Sequence, residues 1–292
     1  MAAGDQIQHT DYNTLQDKAQ LLLGTGSGSR GYGQTVITSD VFDGNIITSA
    51  QWTALRNDIL SIRVHQDGNT PVAGTVAKGS PIDYAIISNY NTLLTQADAN
   101  RFNIGAGQST VSSKATQSVT ATWNTQAQAV LTVTFSNAND GRYFFNSGGK
   151  IRVSGSRTGG SATSQNNAWT NFLANIGTIS FGAAASSLIN YYDLTNSYQT
   201  YYQTALSTPY SANYFQLAAR CDVADNSTGT ATQLLIRITL RDDHVPIGAG
   251  PDSADGTLSL LVEELKASGA LYPTGTWNIT SPTYSLSSIT TT

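Results

Sequence analysis

The densest group of side chains able to do chemistry is Asp242-Asp243-His244, followed at short range by Asp252 and Asp255. Carboxylates around a carbonyl-rich Gly-Ala-Gly-Pro loop offer the oxygens that a hard cation such as Ca²⁺ takes as ligands. Their spacing follows no recognised calcium loop, and a charged connection between two strands accounts for them equally. Asp242 or Asp243, set with Glu263 or Glu264, would supply the two carboxylates that a glycosidase places about one sugar. Nothing in the spacing selects that pairing. Histidine occurs only at positions 9, 65 and 244, and no Gly-x-Ser-x-Gly elbow is present for a serine hydrolase. The expectation is a protein that is not an enzyme and carries no cofactor or resident metal.

Two glycine-rich stretches imitate phosphate-binding loops. Gly26-Ser-Gly28-Ser-Arg-Gly31 matches the dinucleotide pattern letter for letter. That pattern works only after a strand and at the start of a helix, where helix N–H groups meet the pyrophosphate. Here it follows a helical stretch and reads as a turn. Gly74 to Gly79-Ser80 lacks the lysine that a P-loop carries after its second glycine.

The elements that would position any site begin with a repeat. Thr10-Asp-Tyr12-Asn-Thr-Leu15, Ser49-Ala-Gln-Trp52-Thr-Ala-Leu55 and Ser88-Asn-Tyr90-Asn-Thr-Leu93 start 39 residues apart. Each places an aromatic three residues before a leucine, which makes them neighbours on a helix. Each opens on a hydroxyl residue suited to cap a first turn. Three helices are predicted, with apolar stripes that continue through Ala19 and Leu22, Ile59 and Ile62, and Leu94 and Ala97. Such short helices need packing partners. The expectation is that Tyr12, Leu15, Trp52, Leu55, Tyr90 and Leu93 form an assembly interface, so that residues 1–108 act as an anchor.

From residue 109 the period changes to two. Ala129, Leu131, Val133 and Phe135 alternate with polar neighbours, and Gln233–Arg241 reads likewise as a strand with one buried face. Tyr143-Phe-Phe145, Asn146 to Gly149 and Lys150 to Ser154 read as a hairpin. Further strands are predicted at 176–181, 198–204, 214–221 and 257–265, with an edge strand or linker at 110–118 and an edge strand or frayed end after 274. Many short strands in sequence indicate a β-sandwich. The predicted fold is α+β, with a helical region at 1–108 and a jelly-roll-like antiparallel β-sandwich at 109–292.

Composition narrows the partners. Charged residues make up 12% of the 292 and the net charge is −4. A charge-poor surface is inexpensive to bury in an assembly, and it also suits an all-β domain with uncharged loops. No basic stripe marks a nucleic-acid ligand. No apolar run reaches membrane-spanning length, and the first residues lack the features of a secretory signal. The lone Cys221 excludes an internal disulfide framework and reads as a small core filler. Tyrosines at 191, 192, 198, 201, 202, 210 and 214 form the best recognition surface, with Tyr191, Tyr198 and Tyr202 as its candidates. The bland reading places most of them half in the sandwich core. Tyr201 and Tyr202 would point to opposite faces of a strand.

The run from Arg142 to Arg157 resembles a segment of uncharacterised virion proteins from tailed marine phages, cyanophages especially. So do Asn175 to Gly182, Tyr191 to Thr200 and Ser281-Pro-Thr-Tyr284. The resemblance implies a structural component of the virion at the neck, tail, baseplate or fibre, working as a trimer or ring with other copies and other virion proteins. It names no catalytic residue. A receptor- or carbohydrate-binding fibre module that grips host surface glycan is the alternative, and a polysaccharide depolymerase is a third.

Overall fold

The computed structural model describes residues 7–80, 82–184, 189–246 and 253–292. The fold is α+β, with helices preceding two antiparallel sheets that form a β-sandwich-like domain. The chain divides into two compact units that interleave in sequence. Unit 1 comprises Met1–Thr110, Arg142–Gly149 and Lys266–Thr280; unit 2 comprises Val111–Gly141, Lys150–Leu265 and Ser281–Thr292. The first break lies beside the boundary read near residue 108, and the two later segments of unit 1 come from the predicted β region.

Unit 1 is built on α1 (His9–Leu23), α2 (Ser49–Asp67) and α3 (Tyr84–Ala99). Their caps are not the repeated hydroxyls. Thr48 caps α2 in a reciprocal box, receiving the Gln51 N–H while the Gln51 side chain takes the Thr48 N–H. Asp83 receives the Ala85 N–H at the start of α3, and the Asp11 carboxylate receives the Gln8 N–H at the start of α1. The repeated hydroxyl residues sit inside the helices, where the threonine four places on donates to each of their carbonyls. Thr14 reaches Thr10 at 2.7 Å, Thr53 reaches Ser49 at 2.9 Å and Thr92 reaches Ser88 at 2.8 Å. The repeat is therefore structural, but it lies inside the helices, opening in the first turn of α1 and α2 and in the second turn of α3, rather than at the caps.

Unit 2 holds two sheets. The smaller has the order β1 (Ser109–Trp123), β8 (Ala254–Ala267), β3 (Lys150–Thr158) and β4 (Ile179–Phe181). The larger runs β10 (Thr290–Thr291), β2 (Gln126–Thr134), β7 (Gln233–Arg241), β6 (Tyr214–Cys221) and β5 (Gln199–Ala205), with β9 (Thr283–Leu286) also on β2. β1 thus neighbours β8 and β2 neighbours β7, the nested pairing of a jelly-roll-like arrangement. Alternation is followed closely on β2, whose Ala127, Ala129, Leu131 and Val133 are buried while the residues between them are half-exposed. The C-terminal tail is an edge addition: Leu286 pairs with Leu131 and Thr290 with Gln128. Cys221 is buried in β6.

The hairpin expected at residues 143–154 is replaced by a helix, α4 (Ala138–Asn146), that leads into β3. Asn137 starts it, accepting the Asp140 N–H at 3.0 Å while its own amide donates to the Asp140 carboxylate at 3.1 Å. The two glycines that suggested a hairpin end the helix instead. Gly148 takes φ 80°, and the Gly149 N–H returns to the Phe144 carbonyl at 2.9 Å. A second unforeseen helix, α5 (Ser164–Ile176), is capped by Thr163 and buries Trp169 and Leu173 one turn apart. The helix takes Ile176, so the strand expected at 176–181 begins only at Ile179.

Candidate functional site

The six stripe residues of the repeat are interior. Tyr12, Leu15, Trp52, Leu55, Tyr90 and Leu93 are each at most 7% exposed within unit 1. The three aromatics meet, Tyr12 edge-on to Trp52 with ring centroids 5.3 Å apart and Trp52 to Tyr90 at 5.9 Å. The two phenols are satisfied, Tyr12 Oη donating to the Gln51 carbonyl and Tyr90 Oη to that of Gly74, while Trp52 Nε1 is enclosed without an acceptor. Burial pushes both phenols up to about 12. The expected assembly interface is corrected accordingly: the stripes find their core in one another, because three helices of one chain supply enough apolar surface to close it.

The most exposed large apolar side chains of unit 1 lie on the segments between the helices. Phe42 is 71% exposed, Ile46 86% and Val72 88%. Ile46 also lines an open concavity of about 580 Å³ with Ile7, Ile47, Ile82, His9 and Asp43. The backbone leading to Phe42 is held rather than slack. Both carboxylate oxygens of the buried Asp58 receive the backbone N–H groups of Ile37 and Thr38, and the Asn13 side chain makes two bonds to the backbone of Val41.

The dinucleotide-like loop is filled from within unit 1. The Arg142 guanidinium donates to the carbonyls of Thr25 at 3.1 Å, Gly28 at 3.1 Å and Arg30 at 3.0 Å. Asn146 adds bonds to Gly28 and Gly31. The loop therefore turns carbonyls toward a cation, the opposite polarity from the N–H cradle that a pyrophosphate needs.

The carboxylates of unit 2 are dispersed into separate structural roles. Asp255 receives the Ser161 N–H and hydroxyl and the Asn166 amide, which hold its carboxyl below the usual carboxylate range. Asp242 accepts from Gln165 at 2.6 Å, and Asp243 pairs with Arg241 at 2.7 Å. Asp252 lies outside the described residues. Among the described residues, no three or more His, Cys, Asp or Glu side chains gather as metal ligands. Glu263 pairs with Arg152 at 3.5 Å. Glu264 is buried and accepts from Lys114 at 3.2 Å, Ser281 at 3.0 Å and Tyr284 at 3.0 Å. Asp242 shares the α5 end of the sandwich with Asp255, while Glu264 stands nine residues further along β8, about 30 Å away at strand rise. Glycosidase carboxylates stand no more than about 10 Å apart, so the structure does not bring this pair together.

The candidate tyrosines separate. Tyr191 is buried, with its hydroxyl toward the Ala231 carbonyl at 3.5 Å, which removes it from any recognition surface. Tyr201, at the bulge of β5, is buried against Phe181. Tyr202 is half-buried over Phe215. Tyr198, also half-buried, has two guanidinium groups about its ring, Arg237 at 4.4 Å and Arg220 at 5.2 Å from the centroid. The tyrosine spacing found one member of this group; the arginines lie on two other strands, and only strand pairing unites them.

No family model, curated protein or solved structure matches the chain.

Proposed function

We propose that the protein is a structural component of a tailed-phage virion, at the neck, tail, baseplate or fibre. Unit 1 docks on the particle and the β-sandwich unit is presented outward. The observation that carries this reading is the exposure of Phe42, Ile46 and Val72 on the segments between the helices of unit 1, with Ile46 lining an open concavity beside Ile47 and Ile82. A protein with so few charges loses little on surrendering such a surface to neighbours. The docking partners are further copies of the chain, in a trimer or ring, and other virion proteins. The resemblance of the segments at 142–157, 175–182, 191–200 and 281–284 to marine phage virion proteins supports the same role.

The test is incorporation. A phage whose own copy is replaced by a Phe42→Ser, Ile46→Ser, Val72→Ser variant is expected to yield particles depleted of the protein, while the purified variant keeps its melting temperature. Undiminished incorporation would overturn the docking role. Deletion of residues 1–108 is a poorer test, because it strips segments 142–149 and 266–280 of the unit they belong to.

A second reading, carbohydrate recognition by unit 2, is favoured by Tyr198 and its two arginines on the outer face of the larger sheet.

A further inference from the structure

The larger sheet has an unusual charge pattern. None of the strands β2, β5, β6, β7, β9 and β10 contains an Asp, Glu or Lys, while β6 and β7 carry Arg220, Arg237 and Arg241. Arg241 is paired with Asp243. Arg220 makes one long bond, 3.4 Å to the Asn196 carbonyl, and neither it nor Arg237 stands in an ion pair among the described residues. The nearest acid along the chain, Asp222, is turned to the N–H and hydroxyl of Thr232. Two uncompensated guanidiniums thus share one face of a protein whose net charge is −4.

Strand register explains how they meet. Arg220 is opposite Leu235 and Arg237 opposite Ala218, so the arginines are diagonal neighbours on the same face. Continuing the β5–β6 register beyond Gln199↔Ala219 puts Tyr198 beside Arg220. The phenol ring, with both guanidiniums over it, offsets their mutual repulsion through its π face. Cation–π contact leaves guanidinium N–H groups unspent, and these form the fork that fits a carboxylate or sulfate. The adjoining exposed residues are amides and hydroxyls, Asn196, Ser197, Thr200 and Gln203, with Gln216 bonded to Gln203 at 2.7 Å. They match the hydroxyls of a sugar rather than the apolar anchors of a peptide.

We infer that Arg220 and Arg237, held by Tyr198, form a binding site for an acidic saccharide, its carboxylate or sulfate received by the two guanidiniums and its hydroxyls by the neighbouring amides. This rests on the carbohydrate reading of unit 2 and deepens it. The experiment is affinity electrophoresis of the full chain through gels containing alginate, dextran sulfate, neutral dextran or poly-L-glutamate. Retention by alginate or dextran sulfate is expected, the pair distinguishing carboxylate from sulfate. It should weaken with salt and fall about tenfold or more in Arg220→Gln or Arg237→Gln, while Arg241→Gln retains it. Arg237→Lys, which keeps the charge and loses the fork, should fall between and guards against a misfolded glutamine variant. Retention by neutral dextran alone would overturn the anion site and leave carbohydrate recognition standing. Retention by none of the saccharides would overturn both. Equal retention by poly-L-glutamate would overturn the saccharide assignment in favour of an acidic protein partner.

Discussion

The imidazole of His65 stacks on the indole of Trp277, with centroids 3.9 Å apart and planes 24° from parallel. Tyr32 meets both rings edge-on, at 5.6 and 5.1 Å. His65 Nε2 lies 3.0 Å from the Ser147 carbonyl, an obligate acceptor, so Nε2 carries the ring proton and Nδ1 is enclosed without a partner. Four stretches of sequence, around residues 32, 65, 147 and 277, therefore converge in the core of unit 1.

Stability should depend on pH through this histidine. Burial lowers its pKa to about 4 from the usual 6.5. The unfolded chain takes up the proton first, so stability is complete above about pH 6.5 and is lost as the pH falls toward 4, by about 3 kcal/mol. Urea denaturation from pH 7 to 4 should show this loss. A His65→Phe variant, which keeps a ring on Trp277 and removes the titration, should show a shallower slope. An unchanged slope would sink the assignment.

Replacing Arg142 should destabilise unit 1 through the carbonyls it leaves behind. Arg142→Met retains most of the stem and abandons three partly buried carbonyl acceptors, at Thr25, Gly28 and Arg30. A loss of about 3 kcal/mol is expected in urea melts. Lysine should not restore it, since one ammonium cannot reproduce the guanidinium fork.

Within unit 2, Glu264 fastens the C-terminal tail to β8. Glu264→Ala strands Lys114 and removes the acceptor for Ser281 and Tyr284, a change expected to cost about 3 kcal/mol. Tyr284→Phe should cost less. The double variant should fall short of the sum by about 1 kcal/mol, the coupling of residues in contact. Additive losses would show that the two side chains act separately. Burial, with the Glu264 carboxylate beside it, pushes the Tyr284 phenol far up, so it remains a donor throughout the physiological range.

Truncating the central aromatic of the repeat, Trp52→Ala, should cost about 3–5 kcal/mol, because it opens a cavity between Tyr12 and Tyr90. Thr48→Ala removes only a capping bond and should cost about 1 kcal/mol. Similar losses from the two changes, read by thermal unfolding, would refute the interior placement of Trp52.

Much of this fold is written in local pattern. The period-two alternation of β2 and β7 marks their buried faces, and the aromatic–leucine spacing marks the three helices, since both depend on the geometry of one element. The helix at 138–146 has local signals as well, Asn137 three residues before Asp140 and the glycines after Asn146. Aromatic neighbours there mimic a strand, and Gly-Gly serves a helix end as readily as a hairpin. Thr163 and Gly177 bracket α5 in the same legible way.

The sequence by itself determined the α+β character, the repeat and the inward faces of the strands. Tertiary structure alone decided what those faces meet. Whether Tyr12, Trp52 and Tyr90 close on one another or on a partner depends on where three helices pack, and no residue spacing encodes that. The same holds for the interleaved units, for Arg142 inside the glycine loop, and for two arginines seventeen positions apart at one tyrosine ring. Local periodicity is a property of one element, whereas a core or a site is made by contacts between elements distant in the chain.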